Sequence, residues 1–233
     1  MLYTLSPEHQ RMFEGRKSIK PDITLTDMSK ATILKNHKQF ENVIEKNIRY
    51  AQDIIADLPY KEKMPPDEKK MLIEALLLRA CALWENYIEK EIVLLIDLDP
   101  SNLLNEFDLP KNTDVNPKLI RAIIFSDHYR DFHDIDRSMS FFDRVIVDKN
   151  NAFKKITKRR KEKINFIYKL RNYLAHYSEF SKINLLRAYK QEPYNYKRFL
   201  EPGSFLIKQK GKHFEDLVDN FKMSSIHMKT IFR

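Results

Sequence analysis

The sequence predicts a mainly all-α protein, a helical bundle built on long antiparallel helices with a less regular C-terminal segment. Only 3 glycines occur in 233 residues, which argues against tight-turned β architecture because such turns need residues tolerant of positive φ. Apolar residues make up 42% of the chain, enough for one substantial core. They recur at helical spacings over long stretches. We expect an N-terminal arm over residues 1–25, the bundle over 26–180 and a C-terminal extension packed on it over 181–233.

Two long helices are predicted in the first half of the chain. The first begins at about residue 26 and ends before Pro59. The second begins at Asp67 and Glu68, acids that the helix dipole favours at an N-terminus, and meets no breaker before Asp99. Apolar residues surround most of the second helix, so we expect it at the centre of the bundle.

The middle of the chain predicts shorter elements: a loop over residues 100–117, a helix over 118–127 and a short helix or strand over 138–147. The chain's only His/Asp cluster lies over residues 127–136. Metal ligation is conceivable there. Its two histidines, however, are five positions apart, roughly 140° around a helix, and a solvated connecting segment explains the residues equally well. We therefore predict no metal site.

A cation-rich stretch opens what we expect to be the longest helix, from Asn150 to about Tyr177. Seven cations, opposed only by Glu162, stand close together: Lys154, Lys155, Lys158, Arg159, Arg160, Lys161 and Lys163. Such a run is usually a solvated helix face. The alternative is that it guides a phosphate backbone, a contact that positions without reading sequence.

Aromatic and cationic residues alternate over 178–203, where helix signals weaken. We interpret this segment as packing on the bundle, with base stacking on its aromatics as the alternative. A small hairpin is expected over residues 205–212, followed by a helix from about Phe214.

Charge and cysteine content limit the functional classes. The net charge is +9, so the surface field favours polyanions such as nucleic acid. The single cysteine, Cys81, excludes an internal disulfide and a cysteine-based zinc cluster. No signal peptide is visible, and the longest apolar run, near residues 92–96, is too short to span a bilayer. We expect a cytoplasmic protein.

The segment over residues 163–177 carries most of the functional information. On a helical wheel one apolar face spans about 120° and consists of Phe166, Ile167, Leu170, Tyr173 and Leu174. A second apolar stripe consists of Ile164, Tyr168 and Ala175. Between them a polar strip of only about 60° holds Asn165, Lys169, Asn172 and His176. Polar groups on a mostly buried helix are costly unless they are hydrogen-bonded. We therefore expect this strip either to hydrogen-bond to neighbouring elements or to form a functional site.

Arg171, Asn172, three further residues and then the imidazole of His176 define a short motif. It resembles the R-polar-x-x-x-H signature of the HEPN (higher eukaryotes and prokaryotes nucleotide-binding) superfamily, which contains many metal-independent ribonucleases. Trp84 and Glu85, within residues 80–88, resemble the Trp-Glu-aromatic segment of stand-alone bacterial HEPN proteins from toxin–antitoxin and abortive-infection systems.

The resemblance implies an RNA substrate, no cofactor and no metal. It also implies a homodimer in which Arg171, Asn172 and His176 of both chains line one shared groove, and the second apolar stripe fits this because it needs something to bury against. A cognate antitoxin or regulatory protein is a further implied partner. Toxins regulated by adenylylating antitoxins often carry a tyrosine two residues after the histidine; Ser178 stands there, so that route is not expected.

The residue types suit metal-independent RNA cleavage. An imidazole such as that of His176 transfers protons near neutral pH, and the Arg171 guanidinium matches phosphate oxygens. Asn172 can orient either group. Substrate binding is assigned to Lys169, Lys163, Arg160 and Tyr177. Glu85 is assigned a supporting role, paired with Arg171 or Lys169, the alternative being a solvated carboxylate.

Two further hypotheses remain open from the sequence. The first is a HEPN-like module that binds RNA or nucleotide without cutting it. The second is a helical interaction protein in which Arg171 and His176 only stabilise the bundle and the dimer. On the ideal helix these two side chains point about 140° apart, so a catalytic site depends on a local bend or on a second copy of the chain.

Overall fold

The computed structural model describes residues 23–57, 63–125, 134–191 and 193–232, with side chains from residue 29 onward. The predicted fold class is confirmed, since these residues form helices and no strand is found among them. The N-terminal arm up to residue 22 and most of the His/Asp cluster lie outside the described residues. Asp134, from the end of that cluster, accepts hydrogen bonds from the backbone N–H groups of Asp136 and Arg137 and so caps a helix.

Two long antiparallel helices form the base of the bundle, as predicted. They are α1 (Ile23–Ile55) and α2 (Pro66–Leu98), each 33 residues long. Near one end Lys69 forms an ion pair with Asp57 at 2.9 Å, and further along Asn47 Nδ2 donates to the Leu76 carbonyl oxygen at 3.0 Å. α1 is already helical three residues before the predicted start.

Shorter helices complete the described chain. They are α3 (Ser101–Glu106), α4 (Pro117–Phe125), α5 (Ile135–Val145), α6 (Lys158–His176), α7 (Glu179–Tyr189), α8 (Pro202–Ile207) and α9 (Lys212–Lys229). The described residues also form three 3₁₀ turns, at Asp148–Asn150, Ala152–Lys155 and Thr230–Phe232. α2 packs against α1, α4, α6, α8 and α9, which confirms its central position. No helix among the described residues is long and apolar enough to cross a membrane.

An aromatic core holds the C-terminal helix to the first two. Trp84 is fully buried and stacks on Phe221 of α9, with ring centroids 4.9 Å apart. Phe40 of α1 stacks on Tyr87 at 4.2 Å. Stacked and tilted rings stabilise beyond the apolar area they bury, so α9 is part of the central core. Trp84 is a packing residue.

The predicted hairpin over residues 205–212 is wrong. Pro202 stands in the first turn of α8, where its fixed φ favours a helix, and α9 begins directly after Gly211. Gly211 has a φ of 81°, and a Cβ there would lie 2.2 Å from Ile55 Cδ1. The positive φ favours glycine, and any side chain there would also have to displace the end of the Ile55 side chain.

Other predicted boundaries change. The predicted loop over 100–117 contains α3, and of the two alternatives for 138–147 the structure shows a helix, α5. α6 begins at Lys158 and not at Asn150, and it has 19 residues, so it is not the longest helix. The segment after Ser178 is helical as α7. Tyr189 of α7, together with Tyr194, Tyr196 and Phe199 after it, packs against the core, as the first interpretation predicts, whereas Phe180 is exposed.

Candidate functional site

α6 carries the predicted motif, and its core face is buried as predicted. The buried residues are Phe166, Ile167, Leu170, Tyr173 and Leu174. α6 packs against α2, α5, α7 and α9. This packing fixes the rotation of α6, so the directions of its polar side chains follow from helix geometry.

The second apolar stripe of α6 is already buried within a single chain. The prediction that it needs a second subunit to cover it is therefore wrong. Ile164 and Tyr168 are 0% and 1% exposed within a single chain, and only Ala175 is exposed. The reason is that α2 covers the stripe: Tyr168 lies beside Cys81 and Glu85 of that helix.

An open pocket of about 510 Å³ lies between α6 and α7. Lys169, Asn172 and His176 form its α6 wall, because spacings of three and four place side chains on one side of a helix. Asn165, the fourth member of the polar strip, is used elsewhere. Its Oδ1 accepts a hydrogen bond from the backbone N–H of Ile135 at 3.1 Å, at the start of α5.

The opposite wall of the pocket comes from α7. It consists of Ser178, Phe180, Ser181, Asn184, Arg187 and Gln191. These residues are not predicted as part of a site by the sequence analysis. The available signal was the spacing of four, three and four from Phe180 to Gln191, preceded by a serine that can cap a helix. Ser178 does cap α7, accepting from the backbone N–H of Ser181 at 3.2 Å.

The pocket is electropositive and its functional groups are free to bind. No acidic residue is among the side chains that line it, whereas Lys169, Arg187 and His176 are. Within the described chain these three side chains make no hydrogen bond or ion pair. His176 is the last residue of α6 and is exposed. Its imidazole is therefore open to a ligand that enters the pocket.

Arg171 is not brought into the pocket. Its Nη1 donates to Asn172 Oδ1 at 3.3 Å, so Asn172 connects the guanidinium to the pocket wall. α6 runs without interruption from Lys158 to His176.

Glu85 and Arg171 influence the same two buried groups between α2 and α6. Burial raises the pKa of the Tyr168 hydroxyl well above its ordinary value, and the neighbouring Glu85 raises it further while Arg171 opposes. The pKa of the Cys81 thiol is also raised, first by burial and then by Glu85. Glu85 is half-buried and shares the surroundings of Tyr168 with Arg171. The thiol is held protonated and is not a nucleophile.

The other predicted substrate-binding residues lie apart from the pocket. Arg160 stands about 180° around α6 from Lys169, and its Nη1 donates to Asn220 Oδ1 of α9 at 3.3 Å. Lys163 is half-buried and about 120° around from Lys169. Neither lines the pocket. Of the seven-cation run, Lys154 is ion-paired with Asp148.

Tyr177 directly follows α6 and is 65% exposed. Its backbone is left-handed, with φ 44° and ψ 29°. The ring lies 5.3 Å from that of Tyr173, on the side of α2 and α8. Partial burial and the nearby carboxylates of Glu74 and Glu201 raise the pKa of its hydroxyl.

A second polar constellation is fully buried between α1, α2 and α9. His37 Nε2 lies 3.1 Å from Glu91 Oε1, and His37 Nδ1 lies 2.9 Å from Ser225 Oγ. The order Ser–His–acid matches a hydrolytic triad. All three side chains are 0% exposed, so no substrate reaches Ser225 and we assign the cluster a structural role. The chain separation of 188 residues between His37 and Ser225 leaves no signal in the sequence.

Comparisons with protein-family models, with curated proteins and with solved structures gave no match for this chain. Among the described residues no group of three or more His, Cys, Asp or Glu is arranged to hold a metal ion. The functional argument therefore proceeds from the residues of the pocket.

Proposed function

We propose that the protein is a metal-independent endoribonuclease of HEPN type. The observation that carries the proposal is the meeting of Lys169, Asn172 and His176 in one open pocket that no acid lines. An anion of RNA's charge density is attracted to such a pocket. The imidazole supplies proton transfer and the lysine supplies a phosphate contact.

The reaction uses the 2′-hydroxyl of RNA as the nucleophile. His176 accepts the 2′-hydroxyl proton while O2′ bonds to phosphorus. The bond from phosphorus to the 5′-oxygen breaks, and this oxygen takes a proton from an acid, leaving a 2′,3′-cyclic phosphate and a 5′-hydroxyl. Lys169 and Arg171 stabilise the negative charge on the phosphate oxygens in the transition state. Water in the open pocket is this acid.

A second copy of the chain completes the site. Arg171 does not line the pocket of its own chain, so the partner's guanidinium supplies the second cation of the site. An exposed apolar stripe on α2 is suited to such a contact: Met71 is 68% exposed and Leu78 is 37% exposed. The stripe lies about 60–80° around α2 from Cys81, whose thiol is close enough to Arg171 to be affected by its charge. It takes the place of the α6 stripe as the basis for a homodimer.

A biological role as a toxin or antiviral defence effector belongs to this proposal. A cognate antitoxin or regulatory protein would then restrain the ribonuclease. This part rests on the resemblance of the Arg171–His176 motif and of the Trp84-Glu85 segment.

The test is cleavage of mixed RNA by the purified full chain in EDTA. We expect cleavage by the parent protein and loss of about 10²–10⁴-fold in rate for His176→Ala, the usual contribution of general acid–base catalysis. Arg171→Ala should lose about 10²–10³-fold, as when a charge-stabilising donor is removed. His227→Ala and Arg49→Ala, which change a histidine and an arginine away from the pocket, should cleave like the parent.

The results distinguish the ribonuclease from a non-cutting RNA-binding module and from a helical interaction protein. RNA binding without cleavage by the parent protein would favour the non-cutting module. Cleavage by His176→Ala at the parent rate would remove His176 from the mechanism. Loss of the dimer in Arg171→Ala, with no effect on RNA, would favour the interaction protein.

A further inference from the structure

The α7 wall of the pocket places an aromatic ring beside polar side chains. Phe180 is 76% exposed, the most exposed large apolar side chain in the described chain. Asn184, Arg187 and Gln191 continue from it at spacings of four, three and four. These spacings keep all four on one side of the helix axis, and all four line the pocket.

Three side chains of this wall, those of Phe180, Asn184 and Arg187, are not used by the fold, unlike Ser178 and Ser181, which hydrogen-bond to each other. Asn184 and Arg187 form no hydrogen bond or ion pair within the described chain, and the ring of Phe180 stacks on no other ring there. By contrast, Lys229 of α9 pairs with Glu41 of α1 at 2.7 Å. Amides that both donate and accept, a free cation and an open ring are therefore available to a ligand.

This combination matches one unpaired nucleotide. Nucleobases stack on exposed aromatic rings, and amide side chains pair with the donors and acceptors of a base edge. Arginine and lysine bind the flanking phosphates. A volume of about 510 Å³ falls within the usual range of small-molecule pockets. A base inside a duplex offers no free face to Phe180, so the ligand is single-stranded RNA.

We propose that α7 forms a base-binding subsite for one unpaired nucleotide next to the phosphate that is cleaved. Phe180 stacks on the base, Asn184 and Gln191 bind its edge, and Arg187 with Lys169 holds the phosphates. The inference rests on the proposed ribonuclease function, because it places the nucleotide beside His176. Asn184 and Phe180 then determine which sequences are cut.

The experiment measures binding by the full-length His176→Ala protein of 2′-O-methyl RNA octamers, which lack the 2′-hydroxyl and cannot be cut. Fluorescence anisotropy is recorded for the four homopolymers and for one duplex. We expect single strands to bind more tightly than the duplex, and Phe180→Ala to weaken single-strand binding about tenfold, the usual loss when a stacking aromatic is removed. Phe180→Trp should restore it. Arg187→Ala should reduce by about one the slope of the logarithm of the binding constant against the logarithm of the salt concentration, because one phosphate contact is lost.

Matched controls come from the same region of the chain. Ile183→Ala removes another exposed apolar side chain of α7, and Lys190→Ala removes a cation just after it; neither residue lines the pocket. Both should bind RNA like the parent. Phe180→Ala that binds like Ile183→Ala, or a duplex that binds as tightly as a single strand, would overturn the subsite. So would loss of a dimer in Phe180→Ala with unchanged RNA binding, because Phe180 would then be an interface residue.

The outcome is separable from that of the cleavage test. Stacking-dependent binding without any cleavage by the parent would retain the subsite and remove the enzyme. Cleavage by the parent, with Phe180→Ala and Asn184→Ala cutting the same sequences at the same rates, would remove the subsite and retain the enzyme.

Discussion

Tyr177 holds a backbone conformation that tyrosine rarely adopts. Its φ of 44° is left-handed, and its N–H donates to the Tyr173 carbonyl oxygen to end α6. Glycine is the common residue at this helix end because a Cβ costs energy there. The structure gives the strained position to a large, exposed aromatic ring next to His176. Strain kept beside a pocket suggests a functional use of the ring.

Tyr177→Gly should therefore weaken RNA binding without lowering the stability of the fold. We expect the free energy of unfolding in urea to be equal or higher by up to about 1 kcal/mol, because the left-handed strain is relieved and the greater freedom of glycine in the unfolded chain offsets part of the gain. RNA binding should weaken. Tyr177→Asn, which tolerates the same conformation, is the control for loss of the ring. A clear fall in stability would mean that packing on Tyr173 outweighs the strain.

Single residues also show what the sequence could predict about the site. Lys169, Asn172 and His176 share the pocket because their spacing alone fixes their common direction on α6. The sequence could not show that Arg160 lies outside the pocket. Charge count does not reveal that its guanidinium hydrogen-bonds to Asn220, a residue 60 positions further along the chain.

The buried polar cluster joins three helices, and we expect their packing to depend on its His37–Glu91 pair. His37 of α1 and Glu91 of α2 are both 0% exposed, and Asn36 Nδ2 donates to the other carboxylate oxygen at 2.9 Å. Ser225 connects the same imidazole to α9. Removing the histidine leaves a carboxylate in the core without its main partner, which is costly.

His37→Leu should lower the free energy of unfolding by about 3–5 kcal/mol. His37→Leu combined with Glu91→Met should recover most of this loss, because the buried charge is gone. Arg49→Ala is the matched comparison: it breaks the Arg49–Glu45 pair, whose side chains are 66% and 43% exposed, and should cost only about 0.3–0.5 kcal/mol. Urea unfolding followed by circular dichroism measures all three. Equal costs for His37→Leu and Arg49→Ala would contradict the assignment of this cluster as a structural element.

At the level of elements, periodicity predicted the long helices and α4, but it missed α3 and α8. α1 and α2 repeat their apolar positions over many turns, so their existence and pairing could be predicted. The apolar run over residues 205–207 is too short to distinguish strand from helix. Pro202 and the approach of Gly211 to Ile55 decide it. That approach depends on a contact between distant parts of the chain, which no local pattern shows.

For the whole molecule, the charge of +9 and the position of the pocket favour an RNA partner, and the α2 stripe favours a second copy of the chain. Met71, Ala75, Leu78 and Ala82 are exposed, at spacings of four, three and four along one side of α2. Exposed apolar residues that form a stripe indicate an interaction surface more strongly than isolated ones. A dimer through this surface would bring the Arg171 side of each α6 near its partner.

Mixing two inactive variants tests whether the two chains share one site. A dimer of one His176→Ala chain and one Arg171→Ala chain retains one intact histidine and one intact arginine, so co-expressed and refolded mixtures should cleave RNA at least tenfold faster than either variant alone. Met71→Glu, which places a charge on the α2 stripe, should give a monomer by light scattering and lose the same activity, because a buried unpaired charge at the contact is costly. Tyr50→Glu, at an exposed aromatic residue of α1, should remain a dimer and stay active. A fully active Met71→Glu monomer, or a mixture no more active than its parts, would show that one chain holds the complete site.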